Sequence, residues 1–149
     1  MLTMDPRFYY YKNSMINRNL FDENLVIDCE MNSGSSYEAM ERYLEKNKKP
    51  PKALFISSDA TAAGILKSIR EHGFLVPGDC NIVTYNNTTF SESSTPPLDS
   101  IEVYLKESAK EATFALERFW NAEKLPRKIV IPCSLVIRGS IKKQENNDR

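Results

Sequence analysis

Residues 53–66 read ALFISSDATAAGIL, and the rest of the chain is read outward from them. Ala53–Ile56 is an apolar run too short for a helix. It is entered through Pro50-Pro51, which disfavours helical backbone at the residues preceding each proline. Ser57-Ser58-Asp59 makes a polar turn into an alanine-rich helix, Ala60–His72, whose Ala62, Ile65, Leu66 and Ile69 fall on one face. Gly73 suits the left-handed stop that ends many helices. Strand, turn and amphipathic helix in that order make one βα unit. Val76-Pro77-Gly78-Asp79 then turns the chain into another strand, Asn81–Tyr85 (NIVTY).

Upstream, the same alternation is expected. Asp5-Pro6 pairs a capping acid with proline at the first helical position, and Phe8, Tyr11 and Met15 follow at helical spacing to about Arg18. Leu25–Cys29 (LVIDC) reads as a short buried strand. Ser35 and Ser36 are candidate caps for a helix whose stripe is Tyr37, Met40, Tyr43 and Leu44, closing in the basic run Lys46–Lys49.

Downstream, Asn86–Pro97 reads as a polar loop. A long helix is expected from Ile101 to about Asn121, with Leu105, Ala109, Ala112, Leu116 and Phe119 at intervals of 4, 3, 4 and 3. Ile129–Ile131 and Leu135–Ile137 are strand-like segments around Pro132, which cannot donate to a ladder. Lys142–Arg149 has no apolar anchor and is expected to fray.

Alternation of this kind predicts an α/β fold, a parallel sheet layered between helices on both faces. The chain opens on a helix without the strand that should feed it. A sheet lacking that strand exposes unpaired backbone, which invites pairing with another chain, so a homodimer or swapped assembly is expected. In such sheets ligands gather at strand ends, here Glu30–Gly34, Ser57–Asp59 and Tyr85–Thr88.

Composition narrows the function classes. Twenty basic and 20 acidic residues in 149 leave no net charge, which argues against a dedicated nucleic-acid module. No stretch approaches the ~20 apolar residues of a membrane span. Met1–Tyr11 lacks the pattern of a secretory signal. Cys29, Cys80 and Cys133 are far apart and His72 is the only histidine, so neither a zinc site nor a Cys/His nucleophile is expected. Three reduced thiols fit a cytoplasmic protein. Tyr9-Tyr10-Tyr11 has no accompanying basic stripe and reads as packing rather than base stacking.

ALFISSDATAAGIL, Gly73-Phe74-Leu75-Val76-Pro77, NIVTYNN and Thr95-Pro96-Pro97-Leu98, in this order and spacing, resemble the lactose/galactose repressor (LacI/GalR) family of bacterial transcription regulators. Arg7-Phe8-Tyr9-Tyr10-Tyr11 resembles the start of a family helix, and Pro132–Arg138 its terminal Pro-x-x-Leu-x-x-Arg strand. The resemblance implies the C-terminal lobe of a type I periplasmic-binding-protein-like effector domain, truncated. Residues 1–141 would be a partial effector-binding and dimerisation domain and 142–149 a tail. The family's helix-turn-helix, and nearly all of its first lobe, find no counterpart here. The long helix from Ile101 would belong to that first lobe.

By the same resemblance, Arg7, Ser58, Asp59 and Asn86 fall at or beside contacts to a small effector, commonly a sugar, held between two lobes. No cofactor, metal or catalytic residue is implied. Operator DNA would be reached only through a head domain. The helix matching Ala60–His72 and the loop after Asn87 would lie at the subunit interface. Departures are visible: Ser58 stands for the usual Asn, Asn86-Asn87 for Asp-Asp, Tyr10 for Gly, and Gly34 near the place of a stacking aromatic. Asp59 carries two readings, a ligand acceptor or the cap of its own helix. A third role, the phospho-acceptor of a receiver-like switch, would need further carboxylates and a nearby lysine. A free-standing sugar-binding protein is the remaining alternative.

Overall fold

A computed structural model describes residues 5–126 and 128–142. Asp5 caps α1 (Pro6–Ile16), its carboxylate accepting from the Arg7 N–H, with proline just inside. A helix α2 (Ser33–Asn47) is capped by Asn32, whose side chain accepts from Ser35 N–H at 2.8 Å, rather than by Ser35 or Ser36. It ends on Lys48 in the left-handed region (φ 64°). Strand β1 (Ala53–Phe55), helix α3 (Asp59–Glu71) and strand β2 (Asn81–Tyr85) follow as the sequence predicts. Then come a short helix α4 (Thr89–Ser93), strand β3 (Asp99–Glu102), helix α5 (Leu105–Trp120) and strand β4 (Ser134–Val136).

The sheet order is β1-β2-β3-β4. The first three strands are parallel and β4 runs antiparallel to β3, opposing Ser134–Val136 to Ser100–Glu102. Helices cover both faces at β1. Leu54 points into the core built by Met40, Leu44, Ile65, Leu66 and Ile69 of α2 and α3. Phe55, one residue on and so on the opposite face, stacks on Tyr11 of α1 with ring centroids 5.7 Å apart. Alpha-helices α2 and α3 approach so closely that a Cβ on Gly64 would collide with Ser33 O, Ser36 Oγ and the Tyr37 backbone nitrogen.

Four expectations are corrected. Leu25–Cys29 is not a strand: Glu23–Leu25 is one 3-10 turn capped by Asp22, and Val26–Glu30 follows without regular structure or a ladder. Its composition is that of a strand, but β1 is separated from it by an open cleft, and a strand exists only against a neighbour. The helix expected from Ile101 starts at Leu105. Before it, Asp99–Glu102 is a strand, and Tyr104 breaks the chain direction with φ 48°. The i, i+4 spacing of Ile101 and Leu105 imitated a helix that pairing with β2 and β4 overrides. Within the loop 86–97, Thr89–Ser93 forms a helical turn. Ile129–Ile131 joins no sheet.

The end of the described chain is tied down. Asp99 is fully buried and accepts from the backbone N–H groups of Arg138, Ser140 and Ile141 at 2.7–2.9 Å and from the Ser140 hydroxyl at 2.8 Å. Lys142 N–H donates to Asn81 Oδ1. The tail expected to fray therefore begins anchored, and its residues 143–149 lie outside the described residues.

Candidate functional site

The parallel strands β1 and β2 end side by side, and the turn after each brings one part of the candidate site. Arg7 arrives from α1. Its Nε and Nη2 clamp the Asp5 carboxylate at 2.7–3.1 Å, its Nη1 donates to the Ser57 carbonyl after β1, and its guanidinium lies 5.4 Å over the Tyr85 ring at the end of β2. The fork is thus held across the two strand ends, with N–H groups of Nη1 and Nη2 left for another acceptor. The hydrogen bond to Asp5 holds the Arg7 pKa above its ordinary value, and the same bond draws the Asp5 carboxyl below the usual range.

Ser58 and Asp59 sit at the head of α3. Ser58 is the cap: its hydroxyl accepts from Thr61 N–H and shares a 3.0 Å bond with Thr61 Oγ1. The capping reading of Asp59 is corrected accordingly. Asp59 is the first helical residue, 2% exposed, and its Oδ2 accepts from both the backbone N–H and the hydroxyl of Thr88, each at 2.7 Å. Its Oδ1 is buried without a hydrogen-bond partner among the described residues. A serine one residue earlier has the freedom of extended backbone that a cap requires, so it takes the cap and leaves the carboxylate to reach across to the next loop.

Asn86 follows Tyr85 with φ 100°, and Asn87 with φ 49°. Both lie in the region asparagine tolerates better than most residues. The Asn86 N–H donates to Ile101 O at 3.0 Å, which fixes its backbone just past the end of β2. Asn87 is fully engaged: its amide donates to Glu102 at 2.6 Å, its carbonyl accepts from Arg138 at 2.7 Å, and its N–H donates to Ser100. The structure therefore gathers Arg7, Ser58, Asp59 and Asn86 at one edge of the sheet. Sequence reading missed Tyr85, Asp5 and Thr88 as their supports. The signal for Asp5 was its cap position two residues before Arg7. Tyr85 and Thr88 lay in the strand-end segment already singled out, but nothing local marked the bond from Thr88 to Asp59.

Beside this edge opens a cleft of about 830 Å³ between β1 and the segment 25–31. Arg7 stands at it with Phe8 and Tyr11 of α1 on one side, and Thr61 and Ile65 of α3 on the other. No group of three or more metal-ligating side chains occurs among the described residues, and the neighbours Asp59 binds are threonine groups rather than further carboxylates.

Parallel strands wrapped on both sides by helices, with polar groups collected at their C-terminal ends, define the class: one lobe of a periplasmic-binding-protein-like domain. The chain belongs to that family, since residues 2–141 match the model of the periplasmic binding protein-like domain. Within it the relatives are LacI/GalR-type transcriptional regulators, and this chain corresponds to a fragment of their effector-binding domain. It is 30% identical over 139 residues to the HTH-type transcriptional regulator GalR of Streptococcus thermophilus, covering 93% of this chain and 42% of that protein. Catabolite control protein A of Priestia megaterium is 28% identical over 121 residues, 80% of this chain and 36% of the relative. Among solved structures, the complex of the transcriptional regulator CelR with cellobiose superposes with a TM-score of 0.79 at 26% identity, covering 90% of this chain and 41% of that one. The transcription regulator CcpA of Lactococcus lactis gives 0.81 at 25%, covering 91% and 50%. The chain thus spans under half the length of the curated relatives it matches. These relatives are regulators, not enzymes. No helix among the described residues is long and apolar enough to cross a membrane.

Proposed function

We propose that this chain is the effector-sensing and subunit-pairing part of a cytoplasmic LacI/GalR-type transcription regulator, and that its effector is a sugar-like molecule. The observation that carries this reading is the Arg7 guanidinium, set 5.4 Å over the Tyr85 ring and braced by Asp5 at the ends of β1 and β2. A guanidinium held in this way offers N–H donors to ligand hydroxyls without moving, and Asn86 beside it supplies an amide that can both accept and donate. Ser58 and Asp59 act through the turn: the first fixes the start of α3, the second fixes the loop that carries Asn86. A preformed polar edge of this kind loses little ordering entropy when a ligand arrives. Residues 1–141 form the partial effector domain, and operator DNA is engaged through a separate head.

Cellobiose is the natural first probe, because it is bound in a relative's solved structure. Thermal unfolding of the 149-residue chain with cellobiose, lactose and galactose tests the reading. A sugar present at about 100 times its Kd stabilises by ~2.7 kcal/mol. Arg7→Ala is expected to abolish that gain while leaving the unliganded transition within a few degrees. A gain of equal size in the variant would refute the assignment of Arg7. Tight, sequence-dependent binding of operator DNA by this chain alone would refute the separate head.

A further inference from the structure

Three polar groups of Asn87 are engaged, and their partners belong to two other strands. Its N–H, on a backbone with φ 49°, donates to the Ser100 hydroxyl of β3. Its side-chain carbonyl accepts from Arg138 Nη2 at 2.7 Å, and its NH₂ group donates to Glu102 Oε2 at 2.6 Å. Glu102 is the last residue of β3, and Arg138 lies two residues past β4. Glu102 passes the contact on: its other oxygen, Oε1, accepts from the Tyr104 N–H at 2.7 Å. Tyr104 stands in the left-handed region, φ 48° and ψ 56°, which a bulky residue keeps only where its surroundings hold it. That backbone turn sets the direction in which the chain leaves β3 for α5. The Tyr104 hydroxyl meets Ser134 Oγ at 2.8 Å, and Ser134 opposes Glu102 where the chain returns as β4. Arg138 ties the start of β3, its Nη1 donating to the Leu98 carbonyl and its N–H to Asp99 Oδ1, both at 2.9 Å.

We propose that Asn87 is a positioning residue, whose amide couples the loop after β2 to the turn at Tyr104 where the chain leaves the sheet. The loop is the one that carries Asn86, so the inference rests on the effector-sensing reading for its purpose: a change at the candidate site reaches Tyr104 through one side chain. The chemistry selects an amide at this position. Arg138 requires an acceptor and Glu102 requires a donor, and an amide presents both from one rigid plane. An aspartate would serve Arg138 but set a second carboxylate against Glu102. Each of the three bonds that run from Arg138 to Asn87, Glu102 and Tyr104 has one charged partner, which makes it shorter and stronger than a neutral bond. The bond from Asn87 is the main reason that the Glu102 carboxyl is held below its ordinary range, and the Tyr104 N–H adds to it. Glu102 thus stays an ionised acceptor for two donors, one from the loop and one from the turn.

Hydrogen exchange followed by NMR on the full 149-residue chain tests the proposal. The Tyr104 amide is read against the Ile56 amide, which donates to Val83 O inside the sheet. Asn87→Asp keeps the size of the side chain and its tolerance of positive φ, and removes only the donor. Glu102→Gln leaves one acceptor for two donors. Together the two substitutions restore the set, since the glutamine NH₂ donates to the aspartate while its carbonyl takes the Tyr104 N–H. Each single variant is expected to quicken exchange at Tyr104 at least ~10-fold relative to Ile56. The double variant is expected to return to within ~3-fold of the parent, as directly coupled partners do. Effects that simply multiply in the double variant overturn the proposal, and so does an unchanged Tyr104 amide in both single variants. Equal quickening at Tyr104 and Ile56 overturns it too, since that is loss of stability throughout. Far-UV circular dichroism checks folding; a double variant that folds where Asn87→Asp does not supports the coupling. Cellobiose separates this inference from the reading beneath it. Bound to the parent, it is expected to move the Tyr104 amide signal, and bound to Asn87→Asp to leave it in place. Equal movement in both overturns the coupling. Absence of binding to the parent counts against the effector reading alone, and the exchange pattern then decides the role of Asn87.

Discussion

Asp59 and Thr88 are joined twice: one carboxylate oxygen accepts both the N–H and the hydroxyl of the threonine, at 2.7 Å each. The pair fastens the head of α3, which follows β1, to the loop that follows β2.

Removing the hydroxyl alone leaves a buried carboxylate with one donor where it had two. Thr88→Val is therefore expected to lower stability by about 1–2 kcal/mol. The midpoint of a urea transition, at unchanged slope, is the measurement. If sugar binding is present, it should weaken more than the loss of stability alone explains, because the loop carrying Asn86 is then released.

Asp99 gives the chain an acid sensitivity of known sign. Burial opposes its ionised form, but the N–H groups of Arg138, Ser140 and Ile141 and the Ser140 hydroxyl outweigh burial and hold its carboxyl below the usual carboxylate range. The native value therefore lies below the unfolded one, near 3.9. The stabilisation is complete above that unfolded value and is lost as pH falls through the native one. Asp99→Asn turns an NH₂ group toward these donors and is expected to cost about 3 kcal/mol at pH 7. Urea midpoints measured from pH 7 to pH 2.5 should fall less steeply for the variant than for the parent. Parallel curves would count against the assignment.

Gly64 is where α2 and α3 touch. An added methyl group meets the Ser33 carbonyl and the Tyr37 backbone nitrogen, which cannot swing aside as a side-chain end would. Gly64→Ala raises helix propensity by about 1 kcal/mol, yet the helices must separate and the core between them loosens. A net loss of at least ~2 kcal/mol is expected. Calorimetry would read it as a lower Tm, and a higher Tm would mean the helices can part freely.

Asp5→Ala removes both the cap of α1 and the brace of Arg7. The loss is expected to be about 1 kcal/mol, the size of one cap, since the ion pair is partly solvated. It should be local: hydrogen exchange in α1 should quicken while the amides of α3 and β2 keep their protection. Uniform loss of protection would show that α1 unfolds only with the rest of the molecule.

How much of this was written in the chain is clearest in the elements themselves. The βα unit from Ala53 to Glu71 and the strand Asn81–Tyr85 are legible because each satisfies a local rule: an apolar run of strand length, a small polar turn, a 3.6-residue stripe. The four candidate residues were named through resemblance and position at strand ends; Ser58, Asp59 and Asn86 follow β1 and β2, and Arg7 reaches the Ser57 carbonyl there. What stayed hidden depends on neighbours distant in sequence. Leu25–Cys29 has a strand's composition and Asp99–Glu102 does not, yet only the second lies against a pairing partner. Ser58 rather than Asp59 is the cap, and the Asp59 carboxylate meets Thr88, 29 residues away.

The sequence alone determined which segments carry an apolar face and where the chain must turn, because these follow from side chains a few residues apart. The tertiary structure decided which extended segments become strands, which carboxylate serves which N–H, and that the apolar seam of α5 faces outward. Backbone pairing and buried charge are settled between residues tens of positions apart, and no local pattern encodes which partner will be there.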